Sequence, residues 1–442
     1  MVQVDGQWRI SDPGTGILLP QYLYDRYYQA VPVYFLSLDG KRVVAEQVHV
    51  NQVDITPTSV VQSLLRGPSS WLSSAVLTAI PAETRLSAPS VTVGNDGVAQ
   101  VSLTEQIDSL DDAQRLQMAA QLLWSLSSFD NIWGVHITLK GAPFVIPGQD
   151  ADGVLSRSIV STYLPSDQSG RDVFVVQDGV LGQLSGTLGQ VAPVSGPMGQ
   201  SGGAAEISTL AVSSDESVMA AVDPAGSRLS VGTPSSTLAA PTGVSGVGFV
   251  RPQVDADDDV WDFSQDPSGP VLTMCVGQTC SQVSVPDLAG WHVVAFRISP
   301  DRTKIAVVVS LDGQVQLGLL RLRTGEQIVA DGWLPLWVTS TRGALTGYRD
   351  VAWASDTQLM VLAASSADGY VSTYLMDADG SQVESYGPSV DTDPVALAVL
   401  PLNNAGPAAL MMTSGGHVYR FEDPTRWTAI GGDKITAVAY AG

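Results

Sequence analysis

Residues 291–322, WHVVAFRISPDRTKIAVVVSLDGQVQLGLLRL, and residues 348–380, YRDVAWASDTQLMVLAASSADGYVSTYLMDADG, each break into three short alternating apolar runs separated by turn residues. Alternation of period two marks strands with one buried face, and the spacing between the segments is that of one propeller blade. Units of this kind begin near Ile207, Val247, Val293, Val351 and Val395. Two incomplete pieces remain: Asp172–Ser185 supplies two strands and Lys434–Tyr440 supplies one. Pairing them completes a sixth blade and closes the ring with both ends of the segment, leaving few free strand edges. Six blades are expected, with seven as the alternative because Gly186–Gly203 is hard to assign. A toroid of this type offers a rigid surface and no chemistry of its own, so function has to be sought in particular residues.

The first third of the chain has a different grammar. VPVYFLSLDGKRVVAEQVHV, residues 31–50, reads as a hairpin around Asp39-Gly40. A helix from Thr58 to Leu65 follows, with Pro57 at its start and Gly67-Pro68 ending it. Strands are expected at Thr84–Val93 and Val98–Leu103, around the turn Asn95–Gly97. Leu110–Ser127 is a second helix: Asp111 and Asp112 suit the helix dipole, and Leu116, Ala119, Ala120, Leu123 and Leu126 form one apolar face. A strand at Gly134–Lys140 closes the unit. The order predicts a small α+β sandwich over 31–140, preceded by a lead-in at 1–30 and joined by a linker at 141–170 to the propeller at 171–442. In the lead-in, Tyr22, Tyr24, Tyr27 and Tyr28 lie close together and are expected to pack as a lid on the next domain.

Composition excludes several functions. The 22 Lys and Arg stand against 44 Asp and Glu, a net charge of −22, which repels polyphosphate and anionic headgroups alike. Nucleic acid is therefore not an expected partner. The most apolar window, Pro394–Met412, is broken by Pro401, Asn403, Asn404, Gly406 and Pro407 and reads as strands and a loop, not a membrane helix. No signal peptide is visible, and the opening strand without a partner suggests a piece of a longer protein.

Leu64-Leu65-Arg66-Gly67-Pro68, Thr78-Ala79-Ile80-Pro81 and the strand Gly97–Leu103 resemble the GerMN module of spore-germination proteins. Together with the propeller, the lead-in Asp5-Gly6-Gln7-Trp8-Arg9-Ile10 and the ending Ile435–Tyr440, the whole arrangement resembles the actinobacterial LpqB lipoprotein family. The resemblance implies an extracytoplasmic home on the outer face of the cell membrane, through a signal peptide and lipid-acceptor cysteine that this sequence lacks. It also implies a partner, the extracellular domain of the sensor kinase MtrB in the MtrA–MtrB two-component system, and a role in cell-wall and division responses. A monomer without cofactor is expected.

Candidate sites are few. Cys275 and Cys280 flank a four-residue turn containing Gly277, where a disulfide is reachable across a hairpin; two buried thiols are the alternative. His49, His136, His292 and His417 fall in four separate units with no metal-pair spacing, so each reads as structural. No GxSxG elbow, P-loop or HExxH occurs. Asp255–Asp259 could collect Ca²⁺ but lacks the glycine and distal glutamate of a calcium loop, and reads as a solvated turn. The Gly-rich stretch 198–206 reads as a loop between blades. Inner strands such as Val293–Phe296 and Val351–Trp353 are mostly apolar, which argues against a propeller hydrolase or lyase. No catalytic residue is assigned. Peptidoglycan or glycan binding by the GerMN-like unit is the alternative function, carried by Trp71 or Trp133 if either is free to stack on a sugar.

Overall fold

A computed structural model describes residues 2–4, 7–9, 19–163, 172–185, 189–244, 246–325, 327–387, 393–402, 406–424 and 426–442. Lead-in residues Asp5, Gly6 and Ile10, and the end of the expected linker, lie outside them.

The hairpin Tyr28–Ser37 and Val43–Asn51 turns at Asp39-Gly40 as expected. Gly40 takes φ +69°, which a β-carbon would strain, and Asp39 accepts from Lys41 N, so the turn is set locally. Helix α1 spans Gln21–Tyr27, α2 Pro57–Leu65 and α3 Asp112–Ser125. The last two begin with capping boxes, Thr56 with Ser59 and Asp111 with Gln114, each filling two orphan donors. The buried face of α3 is wider than its apolar pattern: Met118, Ala119, Ala120, Leu122, Leu123 and Leu126 are buried, and so is Gln121. Gln121 is accommodated because its amide donates to Tyr34 O and accepts from Ala79 N at 2.8 Å, tying α3 to the hairpin.

Two expectations for this domain need correction. Thr84–Val93 is not a continuous strand; Thr92–Val93 pairs with Val98–Leu103 and Leu86 meets Leu103 only in an isolated bridge, with Pro89, which has no N–H to give a ladder, between them. The linker does not begin at 141. Ala142–Pro143 and Val154–Ser156 both pair with Gly134–Leu139, and Phe144, Ile146, Leu155 and Val160 are buried in the same core as α2 and α3. A Pro- and Gly-rich composition there concealed short strands.

From Val173 onward the described residues form six antiparallel sheets in chain order. The first has Val173–Gln177, Val180–Ser185 and Gln190–Pro193, and its fourth member is Ile435–Tyr440 from the far end, with Val173 opposite Tyr440. The others start at Thr209, Gln253, His292, Thr339 and Pro394. The third thus starts later than Val247, because Pro252 interrupts the ladder and Val247 makes only an isolated bridge to Gln265. Gln190–Pro193 resolves part of the unassigned stretch as an outer strand, while Met198 and Ala204 plug the seam to the second sheet.

Each neighbouring pair of sheets shares an apolar layer. Phe263 meets Phe296 edge-on between the third and fourth, and Trp353, Tyr374 and Leu319 fill the seam between fourth and fifth. Val175 and Val438 of the first sheet pack on Leu410, Val418 and Ile430 of the sixth, so the ring is continuous. Its entry turns share a device: Ser213 donates to Asp215 and Ser299 to Asp301 before the second strand of each sheet begins, an arrangement that satisfies a tight turn from within.

Candidate functional site

Three places concentrate polar chemistry. The first is the joint between the GerMN-like domain and the ring. The side chain of Arg302 reaches Asp255 and Asp259 at 2.9 Å each and also pairs with Asp257, which Arg42 of the neighbouring domain pairs with as well. The acidic run is therefore gathered by arginines. Burial pushes Asp255 up although Arg302 pulls it down, and burial with the neighbouring Asp255 and Asp258 charges raises Asp259 to about 6. Beside it, buried Lys304 donates to Asp301 at 2.9 Å and to Ala45 O at 3.1 Å across the joint. Burial would raise the Asp301 carboxyl, but Lys304 and the Ser299 and Thr303 hydroxyls hold it below the ordinary value.

Trp71 completes the joint. Its indole donates to Gly332 O at 2.6 Å while Arg321 donates to Trp71 O at 2.5 Å, and Arg321 is itself held by Asp331. His49 lies between the Tyr24 hydroxyl and the Asp379 carboxylate. Burial would lower its pKa, and Asp379 more than offsets this to hold the imidazole above its usual value. Instead of lying only on the next domain, the tyrosine segment reaches the ring: Tyr24 stacks on Tyr28 and Tyr28 O accepts from Gln382, while Tyr22 and Tyr27 stay exposed. The joint uses turns and strand ends of the third, fourth and fifth sheets.

The second place is the ring axis. The axis is not uniformly apolar: Arg251, just before the third sheet, and Arg297 of the fourth line a cavity of about 60 Å³, and Asp350 of the fifth sheet pairs with both. Arg251 donates to Asp350 at 2.8 Å and to Leu397 O of the sixth sheet. Asp350 also accepts from Val351 N and Leu397 N. Burial pushes its carboxyl up, while Arg251 and these N–H groups pull it down. Arg297 donates to Phe296 O, and its guanidinium stands 3.8 Å from Asp350. This trio has no local signature, because its members lie far apart in the sequence.

The third place is an open cleft of about 830 Å³ on the GerMN-like domain, lined by Leu65, Arg66, Gly67, Ile80, Pro81 and Arg85 among others. Two of the three GerMN-like motifs, Leu64–Pro68 and Thr78–Pro81, thus contribute to its lining.

The remaining candidates are separate. Cys275 and Cys280 oppose each other across the hairpin of the third sheet and are bridged. His136 bonds Gln100 and His417 faces Asp433 at 3.2 Å, each far from the other. Trp133 is half exposed, with its indole donating to Asp96 O. A double Cys275→Ser, Cys280→Ser variant should lose about 2 kcal/mol, because so short a loop constrains the unfolded chain only modestly. Urea denaturation with and without reductant measures this; no difference between bridged and serine forms would contradict it.

Residues 32–145 match the family described as sporulation and spore germination, and 179–437 match the lipoprotein LpqB beta-propeller domain. Lipoprotein LpqB of Cutibacterium acnes is 28% identical over 97% of this chain and 74% of its own length. The Thermobifida fusca protein of the same name is 27% identical over 91% of the chain and 70% of its own length. Among solved structures, the first GerMN domain of the sporulation protein GerM from Bacillus subtilis covers 29% of this chain and 98% of itself at 21% identity, with a TM-score of 0.26. TolB from Acinetobacter baumannii covers 62% of this chain and 67% of itself at 14% identity and a TM-score of 0.38. With a GerMN-like domain docked on a ring whose matched residues make up more than half of the sequence, the chain belongs to the LpqB lipoprotein family.

Proposed function

We propose that this chain works by contact, as the folded part of an extracytoplasmic lipoprotein that holds a protein partner at the outer face of the membrane and turns over no substrate. The observation that carries this reading is the joint: Trp71, Arg42, Ala45 and His49 are clamped to the ring by Gly332, Asp257, Lys304 and Asp379. Such a joint makes two domains one rigid platform, which suits presentation of a composite surface. Charged side chains at the joint and axis are engaged by one another, and none is arranged as an activated nucleophile with its base.

The family resemblance points to the extracellular domain of the MtrB sensor kinase as the partner. A net charge of −22 favours steering toward a basic patch, an attraction screened beyond about 8 Å at physiological salt. Calorimetric titration of the chain with that ectodomain should give measurable binding at low salt that weakens as salt rises. Absence of binding at low salt, joined to hydrolytic activity lost in an Asp350→Asn variant, would replace this reading with an enzyme. The glycan reading is narrowed, since of the two candidate tryptophans Trp71 is engaged in the joint and Trp133 retains an open face. Pull-down with insoluble peptidoglycan, lost on Trp133→Ala, would favour it instead.

A further inference from the structure

Helix α1 is the least anchored element at the joint. None of its residues is buried, and Pro20 before it offers no side-chain cap. A helix of seven residues does not hold itself in water, because nucleation is unfavourable and so few hydrogen bonds do not offset it. Its position depends on outside contacts, and these converge on Tyr24. The Tyr24 ring stacks on Tyr28 and leans on His49, and its hydroxyl meets Nδ1 of His49, whose Nε2 faces the Asp379 carboxylate of the fifth sheet. Lead-in, hairpin and ring thus meet at one imidazole.

Charge around that imidazole is one-sided. Asp379 pairs with it, the Asp377 charge also acts on it, and Asp25 of α1 acts with both aspartates on Tyr24. Nearby cations are committed elsewhere: Lys304 to Asp301 and Ala45 O, and Arg26 over the ring of Tyr27. Glu46, on the same strand as His49, accepts from Ser69 N. His49 is left as the counter-charge of the three aspartates. The Tyr24 hydroxyl, pushed up by burial to about 12, keeps its proton across the range in which an imidazole titrates.

We propose that α1 is a lid latched through Tyr24, His49 and Asp379, closed while His49 carries its proton and released when that proton leaves for water. Loss of the proton replaces an ion pair with a neutral hydrogen bond and leaves Asp25, Asp377 and Asp379 without a counter-charge, so this corner repels the helix that carries Asp25. A histidine held above its unfolded pKa gives stability that is complete below the unfolded value and lost as pH rises through the folded one. The latch is therefore shut in mild acid and loose in mild alkali. What it covers is a cleft of about 640 Å³ between α1 and the fifth sheet, lined by Gln21, Tyr22 and Asp25 on one side and Gln382 and Glu384 on the other. The rest of the joint stays clamped, because the contacts of Trp71, Lys304 and Arg302 contain no histidine, and Asp259, near 6, gains charge toward Arg302 as pH rises. This inference stands on the joint alone and holds whichever partner the chain binds.

The test is hydrogen exchange of the full chain near pH 6 and near pH 8, read by mass spectrometry and corrected for the intrinsic change of exchange rate with pH. Protection of residues 21–27 should fall severalfold at the higher pH, while that of 57–65 in α2 should not change. His49→Gln keeps a hydrogen-bonding side chain without the charge, and Tyr24→Phe removes the hydroxyl; each should show the low protection of 21–27 at both pH values. The imidazole NMR signal of His49 in the unaltered chain needs no variant and should titrate above the ordinary histidine value. Equal corrected protection of 21–27 at the two pH values, a pH response retained in either variant, or a His49 titration at or below the ordinary value would each overturn the proposal.

Discussion

A chain shortened to remove Ile435–Tyr440 should not form a cooperative propeller. This segment is the innermost strand of the first sheet, with Ile435, Ala437, Val438 and Ala439 all buried. Its loss opens two apolar seams together: the one toward the second sheet, where Ala437 and Ala439 pack with Phe174 and Leu210, and the one toward the sixth, where Val438 meets Leu410 and Val418. Large-to-small changes at single core positions already destabilise by about 2–5 kcal/mol, and a whole domain is stable by only about 5–15 kcal/mol. The exposed inner edge of Val173–Gln177 would also be free to pair with another molecule. Calorimetry should show the main transition gone, and limited proteolysis should leave a fragment near 19–163. A truncated chain with an unaltered transition would refute ring closure as the source of stability.

Arg302→Ala should produce the largest loss from any single side chain at the joint, about 3–5 kcal/mol, since it leaves buried carboxylates facing each other without their cation. Asp255 is buried and keeps only the Trp261 indole and backbone donors nearby, while Asp257 retains Arg42. Asp259 already sits near 6, and removing Arg302 moves the group further in that direction. A carboxyl raised in the folded state contributes stability below its unfolded pKa, and that contribution is lost as pH rises through the folded value. The deficit of the variant against wild type should therefore be smaller near pH 5 than near pH 7.5, a trend that urea denaturation at the two pH values can read. Arg302→Lys should recover part of the loss, because a point charge replaces the fork without its bidentate geometry. A deficit independent of pH would mean that Arg302 acts by packing alone.

Ring closure could be read in the sequence because it left an accounting problem: two strands at Asp172–Ser185 and one at Lys434–Tyr440 had no local partners. Turn chemistry was equally plain at Asp39-Gly40 and around Gly277, where short-range residue types determine backbone geometry. What was hidden depended on distance. Arg297 and Asp350 each sit within a predominantly apolar inner strand, Arg251 precedes another, and only the stacking of sheets brings them together. Trp71 read as a core-packing aromatic, with sugar stacking the alternative, and nothing local showed that Gly332 and Arg321, from the ring, would close around it. The acidic run Asp255–Asp259 carried a visible charge signal but no hint that Arg302 and Arg42 would gather it. Leu155 and Val160 were obscured in the same way, by a Pro- and Gly-rich setting that reads as linker and folds as core.

The pairing of Val173 with Tyr440 also sets a clock. Translation proceeds at about 5–20 residues per second, so on the order of tens of seconds separate the synthesis of these two residues, and the first sheet lacks its inner member throughout. The GerMN-like domain has all its strands by the time Ser156 emerges and has no such wait. Half-made rings would therefore carry an open seam at both ends during synthesis. A cell that moves this chain across a membrane as an extended polymer, and lets it fold only when the last strand has arrived, would never expose that seam in the cytosol.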